Sequence, residues 1–232
     1  GPGGMIFNKE GEYEVTVQNG GNIAFAIANT YPGWVWIYTG AHVPQGIWTH
    51  VAFSYSSINQ QIRIYINGSL AHTGFGAGIV GDADPIKNDL YIGSRQFGGQ
   101  HFNGKIEETR MWNVAIPGAT IQHWMNKSIT SSHPNIGNLQ GYWRFDEGNG
   151  FVTADLSGNG NTGSLVNGPV WTTSTAPIEN CHLMSAACPQ SAASFDGVDD
   201  YINTNRTTLF NSAEGTVDFW VRPNAIGNTQ AL

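Results

Sequence analysis

At 232 residues the chain has room for one or two domains, and single β-sandwiches reach this size. Charged side chains make up only 12% and glycine reaches 30 residues, the composition of strands and loops rather than of charged helices. Ten basic against seventeen acidic residues give a formal charge of -7, which speaks against nucleic acid because phosphate binding needs clustered Lys and Arg. No run approaches the ~20 apolar residues of a membrane span, so membrane insertion is not expected.

The first four residues, Gly1 to Gly4, read as a protease-cleavage scar and are set aside. Short strand-like runs then recur between Gly, Asn and Pro: Tyr13 to Val17, Asn22 to Ala28, Trp34 to Tyr38, Trp48 to Tyr55, Gln61 to Ile66 and Asp89 to Gly93. Their spacing predicts an all-β sandwich or barrel. In the fifth run Ile62, Ile64 and Ile66 alternate with Gln61, Arg63 and Tyr65, so the isoleucines share one buried face. Asn67-Gly68 follows, the pair that supplies both positive backbone angles of a type I′ hairpin turn, with Ser69 to Thr73 returning. One short connector helix is expected, opened by Pro117 in its first turn and marked by Ile121, Trp124 and Met125 at helical spacing. Strands resume at Gly141 to Asp146, Thr162 to Val166, Ala193 to Ile202 and Gly215 to Arg222, with an aperiodic linker from Thr172 to Ser191 between them.

Three segments together resemble the laminin G-like jelly-roll domains of the concanavalin A-like lectin/glucanase superfamily. They are Gly104-Lys-Ile-Glu-Glu-Thr-Arg-Met-Trp-Asn113; Gly141-Tyr-Trp-Arg-Phe-Asp-Glu-Gly148 with Asp155-Leu-Ser-Gly-Asn-Gly-Asn161; and Ala193-Ser-Phe-Asp-Gly-Val-Asp-Asp-Tyr-Ile202 leading into Gly215-Thr-Val-Asp-Phe-Trp-Val-Arg-Pro223. The resemblance implies an antiparallel two-sheet jelly-roll sandwich. Its order departs from the family, since the third segment ordinarily opens such a domain and here closes the chain. Residues 5–171 then form the major part of the sandwich, 172–192 a linker, and 193–232 its opening strands displaced to the end. The chain reads as circularly permuted, by design or because a tandem array was cut inside one repeat. Those end strands complete their own domain or, by strand-swapped self-association, a neighbour's.

The strongest polar signal is a set of acidic and amide residues: Asp146, Glu147, then Asp155 with Ser157, Asn159 and Asn161, then Asp196, Asp199 and Asp200. Oxygen donors on Gly-rich loops suit a hard cation, and the resemblance makes a structural calcium plausible, with Asp155, Ser157, Asn159, Asn161, Asp196 and Asp199 as ligands. The competing reading is that these residues cap turns by side-chain-to-backbone hydrogen bonds. Cys181 and Cys188 have the spacing of a small loop-closing disulfide, while two free thiols fit equally and a metal site lacks further ligands.

Tyr31, Trp34, Trp36 and Tyr38 form an aromatic run on which a sugar ring could stack, or which is simply core, because Val35 and Ile37 leave the strand apolar on its other face as well. Trp48, Trp112, Trp143 and Trp220 are expected in the core. Glu107 and Glu108 adjoin on a strand, so alternation sends them to opposite faces, paired with Arg110 or Arg144. No Glu-x-Asp-x-x-Glu strand motif of the glucanases occurs, and no Gly-x-Ser-x-Gly elbow. The expected function is a non-catalytic extracellular or cell-surface recognition and adhesion module for a glycan or other surface ligand. A structural repeat without small ligand is the alternative, and a diverged glycan hydrolase, needing two carboxyls across an open groove, a third.

Overall fold

A computed structural model describes residues 4–28, 30–31, 33–80, 89–179, 190–206 and 212–226. In chain order the strands begin with β1 (Gly4–Lys9), β2 (Tyr13–Val17), β3 (Asn22–Ile27), β4 (Thr30–Tyr31), β5 (Ile37–His42) and β6 (Thr49–Ser56). Next come β7 (Gln61–Ile66), β8 (Ser69–Phe75), β9 (Ala77–Gly78), β10 (Tyr91–Ile92), β11 (Asn103–Trp112), the helix α1 (Gly118–Trp124) and β12 (Leu139–Trp143). The series ends with β13 (Val152–Thr153), β14 (Gly163–Val166), β15 (Val170–Thr173), β16 (Ser191–Asp196), β17 (Tyr201–Asn203) and β18 (Glu214–Pro223).

These strands make an antiparallel two-sheet jelly-roll sandwich. The first sheet runs β13-β14-β17-β10-β1-β2-β3-β5 and the second β15-β16-β11-β18-β6-β7-β8, with β12 paired to β11. Strands from residues 191–223 lie beside strands from residues 4–173 in both sheets: β18 sits between β11 and β6, and β17 between β14 and β10.

Pattern and turn chemistry account for the best-defined elements. Asn67 and Gly68 both take positive φ (49° and 74°), and Ile66 pairs with Ser69 across them, so the type I′ turn forms where it is expected. Ile62 and Ile64 are buried in the inter-sheet core while Tyr65, on the opposite face, packs beneath α1. Ile121 is the buried residue of that helix, which begins directly after Pro117. Between the sheets Phe7 meets Phe219 at 5.1 Å and Phe25 meets Phe53 at 4.7 Å between ring centroids. Each such fully buried side chain stabilises the sandwich by about 1.5–3 kcal/mol.

Several expectations are corrected. The strand predicted over Trp34 to Tyr38 starts only at Ile37, because its ladder with β3 begins at Phe25↔Ile37 and the Val35 amide turns back to the Gly33 carbonyl (2.9 Å). The single run predicted over Ala193 to Ile202 is two strands in different sheets, since Gly197 (φ 83°) turns the chain between them. Gly4 opens β1 opposite Val17, and its carbonyl accepts the Thr16 hydroxyl at 2.9 Å, a pairing that leaves the origin of residues 1–4 untouched. Trp112, Trp143 and Trp220 are buried, but Trp48 is only half-buried. Cys181 and Cys188 lie outside the described residues.

Candidate functional site

β5 is the edge strand of the first sheet and lies next to β8, the edge of the second, so these two strands form one side of the sandwich. Tyr38 pairs with Ala24 of β3 and is 70% exposed, while Trp34 is 40% and Val35 48% exposed. The reading of this run as core is therefore wrong for Trp34 and Tyr38; only Ile37 packs against the inter-sheet core. Edge position is the reason: β5 has a neighbour on one side only, and the chain before it bends away from the sheet. The rings of Trp34 and Trp36 are 6.5 Å apart with their planes at 68°, an edge-to-face contact that fixes both indoles. Tyr31 belongs to β4, whose backbone pairs with β9. Leu70 and Phe75 on β8 and Ile79 beyond β9 are more than half exposed, so the apolar surface extends from one edge to the other. Val35 was read from the sequence only as a sign of core, and Leu70 and Phe75 were not singled out, since an isolated apolar residue carries no sign of being at an edge.

The six proposed cation ligands divide between two places. Asp196 ends β16 opposite Asn103 of β11, whereas Asp155 is bonded to the amide of Tyr142, which pairs with Arg110 on the same strand. Seven positions along β11 put them roughly 20 Å apart. Asp155 accepts backbone amides from Tyr142 (2.9 Å), Ser157 (2.9 Å) and Asn161 (2.8 Å). The Asn159 and Asn161 side-chain amides donate to the Gln140 carbonyl, and the Ser157 hydroxyl does likewise. Every one of these groups holds the loop against β12.

Asp196, Asp199 and Asp200 are different, with carboxylate oxygens that all lie within 4.8 Å of one another. Asp200 is buried, and Asp196 and Asp199 are exposed. Asp196 Oδ1 accepts the Val198 amide and Asp200 Oδ2 the Asp196 amide, and no donor among the described residues bonds the second oxygen of either or the carboxylate of Asp199. Burial raises the Asp200 pKa, and the adjoining Asp196 and Asp199 carboxylates add to the rise against the opposing amide bond. Oxygen-only donors with unrelieved like charge suit a hard cation, so the residues present fit calcium in kind.

Most of the other described carboxyls are committed to protein partners. A bulge at Glu108 (φ 50°) breaks the alternation that was expected to separate it from Glu107. Glu108 accepts from Arg110, Arg144, Ser128 and Tyr142, while Glu107 accepts from Ser174. Burial, with repulsion from Glu108, pushes Glu107 up to about 8. Asp146 pairs with Arg144 (2.9 Å), and Glu147 accepts from Thr153 and Ala154. On the first sheet Glu14, pushed up to about 7 by burial, lies with Glu10 beside Arg95 and Asn8. Near Tyr142 a groove of about 330 Å³ is lined by Ile129, Thr130, Ser131, Ile136, Arg144 and Leu156, in which Arg144 is the one ionisable group with solvent contact.

The comparisons agree with this architecture. A rat sushi, von Willebrand factor type A, EGF and pentraxin domain-containing protein is 31% identical over 118 residues, covering 45% of this chain. The mouse counterpart is 32% identical over 118 residues, also 45% of the chain. The chain spans about 3% of the length of each of these relatives. A crystal structure of a candidate carbohydrate-binding protein from Bacteroides ovatus superposes with a TM-score of 0.53 over 90% of this chain and 51% of its own, at 17% identity, a likeness of fold alone. The laminin G family model of the concanavalin A-like lectin/glucanases superfamily matches residues 1–122, more than half of the sequence. With the two-sheet jelly roll in place, the chain belongs to that family.

Proposed function

We propose that the chain is a non-catalytic glycan-recognition module of an extracellular or cell-surface adhesion protein, with the edge aromatics Trp34, Trp36 and Tyr38 as its contact surface. The observation that carries this reading is the exposure of Trp34 and Tyr38 (40% and 70%) at a sheet edge, where burial would instead have favoured a pure scaffold. Amphipathic rings of this size contact the apolar faces of pyranoses at little entropic cost, while neighbouring amides and hydroxyls orient them. In the same reading calcium occupies Asp196, Asp199 and Asp200 and braces the turn between β16 and β17. Asp155, Ser157, Asn159 and Asn161 keep the role of turn caps. The family likeness and the Bacteroides ovatus neighbour support a binding module in kind.

A glycan array probed with the wild-type chain and with Trp34→Ala, each with calcium and with EDTA, tests both parts. Binding that Trp34→Ala abolishes and EDTA weakens by a few fold is expected, since bracing a turn acts on affinity indirectly. Glycan binding indifferent to Trp34→Ala overturns the edge as the contact surface, and binding and melting temperature both indifferent to EDTA overturn the calcium role. This reading also takes residues 193–232 as the sandwich's own opening strands, displaced to the end of the chain. A monomer in light scattering supports that arrangement; a dimer or filament supports strand exchange.

A further inference from the structure

The aromatic edge has an unusual electrostatic setting. Between Glu14 and Arg63 the sequence contains no Asp, Glu, Lys or Arg, and none occurs again until Asp82. Strands β3 to β9, and with them both edges of this side of the sandwich, are built from that stretch. The guanidinium of Arg63 donates to Gln61 beside it on β7. Natural edge strands are ordinarily protected by charged side chains, and their omission along β5 and β8 sets apart the surface that carries Trp34, Val35, Tyr38, Leu70 and Phe75. Among the described residues β5 and β8 carry no Asp, Glu, Lys or Arg, so a sulfated or uronic-acid glycan meets only His42 and His72 as titratable groups on these two strands, and a cationic ligand meets no carboxylate on them.

Ring geometry adds a second, independent constraint. Two coplanar indoles would make a platform for a flat, extended sugar chain. Trp34 and Trp36 instead meet at 68° with centroids 6.5 Å apart, so no flat chain can lie on both faces. A chain whose successive sugars rotate out of plane can place one ring on each indole.

We infer that the uncharged β5 edge, through the angled pair Trp34 and Trp36, selects a neutral glycan chain that turns between successive residues, and rejects acidic glycans and flat crystalline faces. This rests on the proposal that the edge aromatics bind glycan. Hydroxyl-bearing neutral sugars meet the free backbone groups of the β5 edge and the surrounding amides, and association is then insensitive to salt, unlike recognition through charge.

The test uses the whole chain and Trp34→Ala in affinity electrophoresis and titration calorimetry against four polymers: a soluble β-1,3-glucan, amylose, heparin and polygalacturonate. Sedimentation with microcrystalline cellulose completes the set. Trp34→Ala retains its fold because the side chain is largely outside the core, which an unchanged melting temperature verifies; Tyr38→Ala serves as the second variant. The expected result is binding to at least one of the two neutral, turned polymers that Trp34→Ala weakens about tenfold or more and that changes less than about twofold between 50 and 500 mM salt. Trp34-dependent binding confined to heparin or polygalacturonate, or to the cellulose surface, overturns the selectivity while leaving glycan recognition in place. No Trp34-dependent binding to any of the five, with Trp34→Ala instead abolishing self-association in sedimentation velocity, overturns glycan recognition itself and assigns the edge to a second copy of the chain.

Discussion

Beneath α1, on the outer face of the second sheet, Arg110, Glu108, Asp218 and His50 are nearly sealed from water and bond to one another, with His50 Nδ1 and Arg110 Nε left without a hydrogen-bond partner among the described residues. At the β5 edge of the first sheet, large aromatic rings face solvent and the strand itself carries no Asp, Glu, Lys or Arg. In the first region Asp218 accepts from Arg110 (3.1 Å) and the Trp112 indole (2.8 Å) and meets His50 at 3.3 Å. Burial pushes the Asp218 carboxyl up, but Arg110 and His50 outweigh it and hold the group below its ordinary range. Charge that is buried, paired and hydrogen-bonded specifies how the helix and its loop sit on the sheet. Apolar area left open at an edge contributes nothing to folding and is available to a ligand. The two regions should therefore respond in opposite ways to substitution.

The largest effect is expected at Asp218. Asp218→Ala leaves Arg110 buried beside Glu108 with one partner removed and strands the Trp112 N–H, so stability should fall by about 3–5 kcal/mol in urea denaturation. A loss below about 1 kcal/mol would mean that water readily replaces the carboxylate.

A smaller effect follows from the raised carboxyls. Glu107 and Glu14 keep their protons up to about 8 and about 7 in the folded chain, against an ordinary value of 4.5. At these two carboxyls the folded state binds more protons than the unfolded state, which lowers stability as pH rises. Burial holds His133 down at about 4 and lowers His50 too; these act in the opposite direction below about 6.5, so the net fall lies between about 6.5 and 8. Below it Asp218 acts in the other direction, its contribution being lost as pH falls towards its depressed folded value. Melting temperature should decline between about pH 6.5 and 8, and Glu107→Gln should flatten the decline. An unchanged slope in that variant would show that Glu107 ionises normally.

The smallest stability effect belongs to the open edge. Tyr38→Ala should alter the unfolding free energy by less than about 0.5 kcal/mol, as at other exposed positions, while removing a ring from the contact surface. A large loss of stability there would identify Tyr38 as a packing residue and blur the contrast between the regions.

How far each region is legible in the sequence follows from the range of the interactions that make it. The β7–β8 hairpin depends on Asn67-Gly68 and on alternating isoleucines, all local, and was readable. The outer-face network joins residues 50, 108, 110 and 218, which no local pattern connects, and the bulge that brings Glu108 to Arg144 reverses what strict alternation suggests. The aromatic run was visible as a candidate, but whether it faced core or solvent depended on β5 being an edge strand, a property of sheet order. The acidic and amide residues were likewise visible, and only the fold separates the Asp155 loop, spent on backbone amides, from the carboxylate group at Asp196, Asp199 and Asp200.

The central claim, that recognition occurs at the uncharged β5 edge, is tested most directly by following the indole N–H signals of the eight tryptophans in proton–nitrogen NMR during titration with a soluble β-1,3-glucan or amylose. The account predicts that Trp34 and Trp36 shift while the buried Trp112, Trp143 and Trp220 do not. Saturable binding that leaves Trp34 and Trp36 unmoved would contradict it.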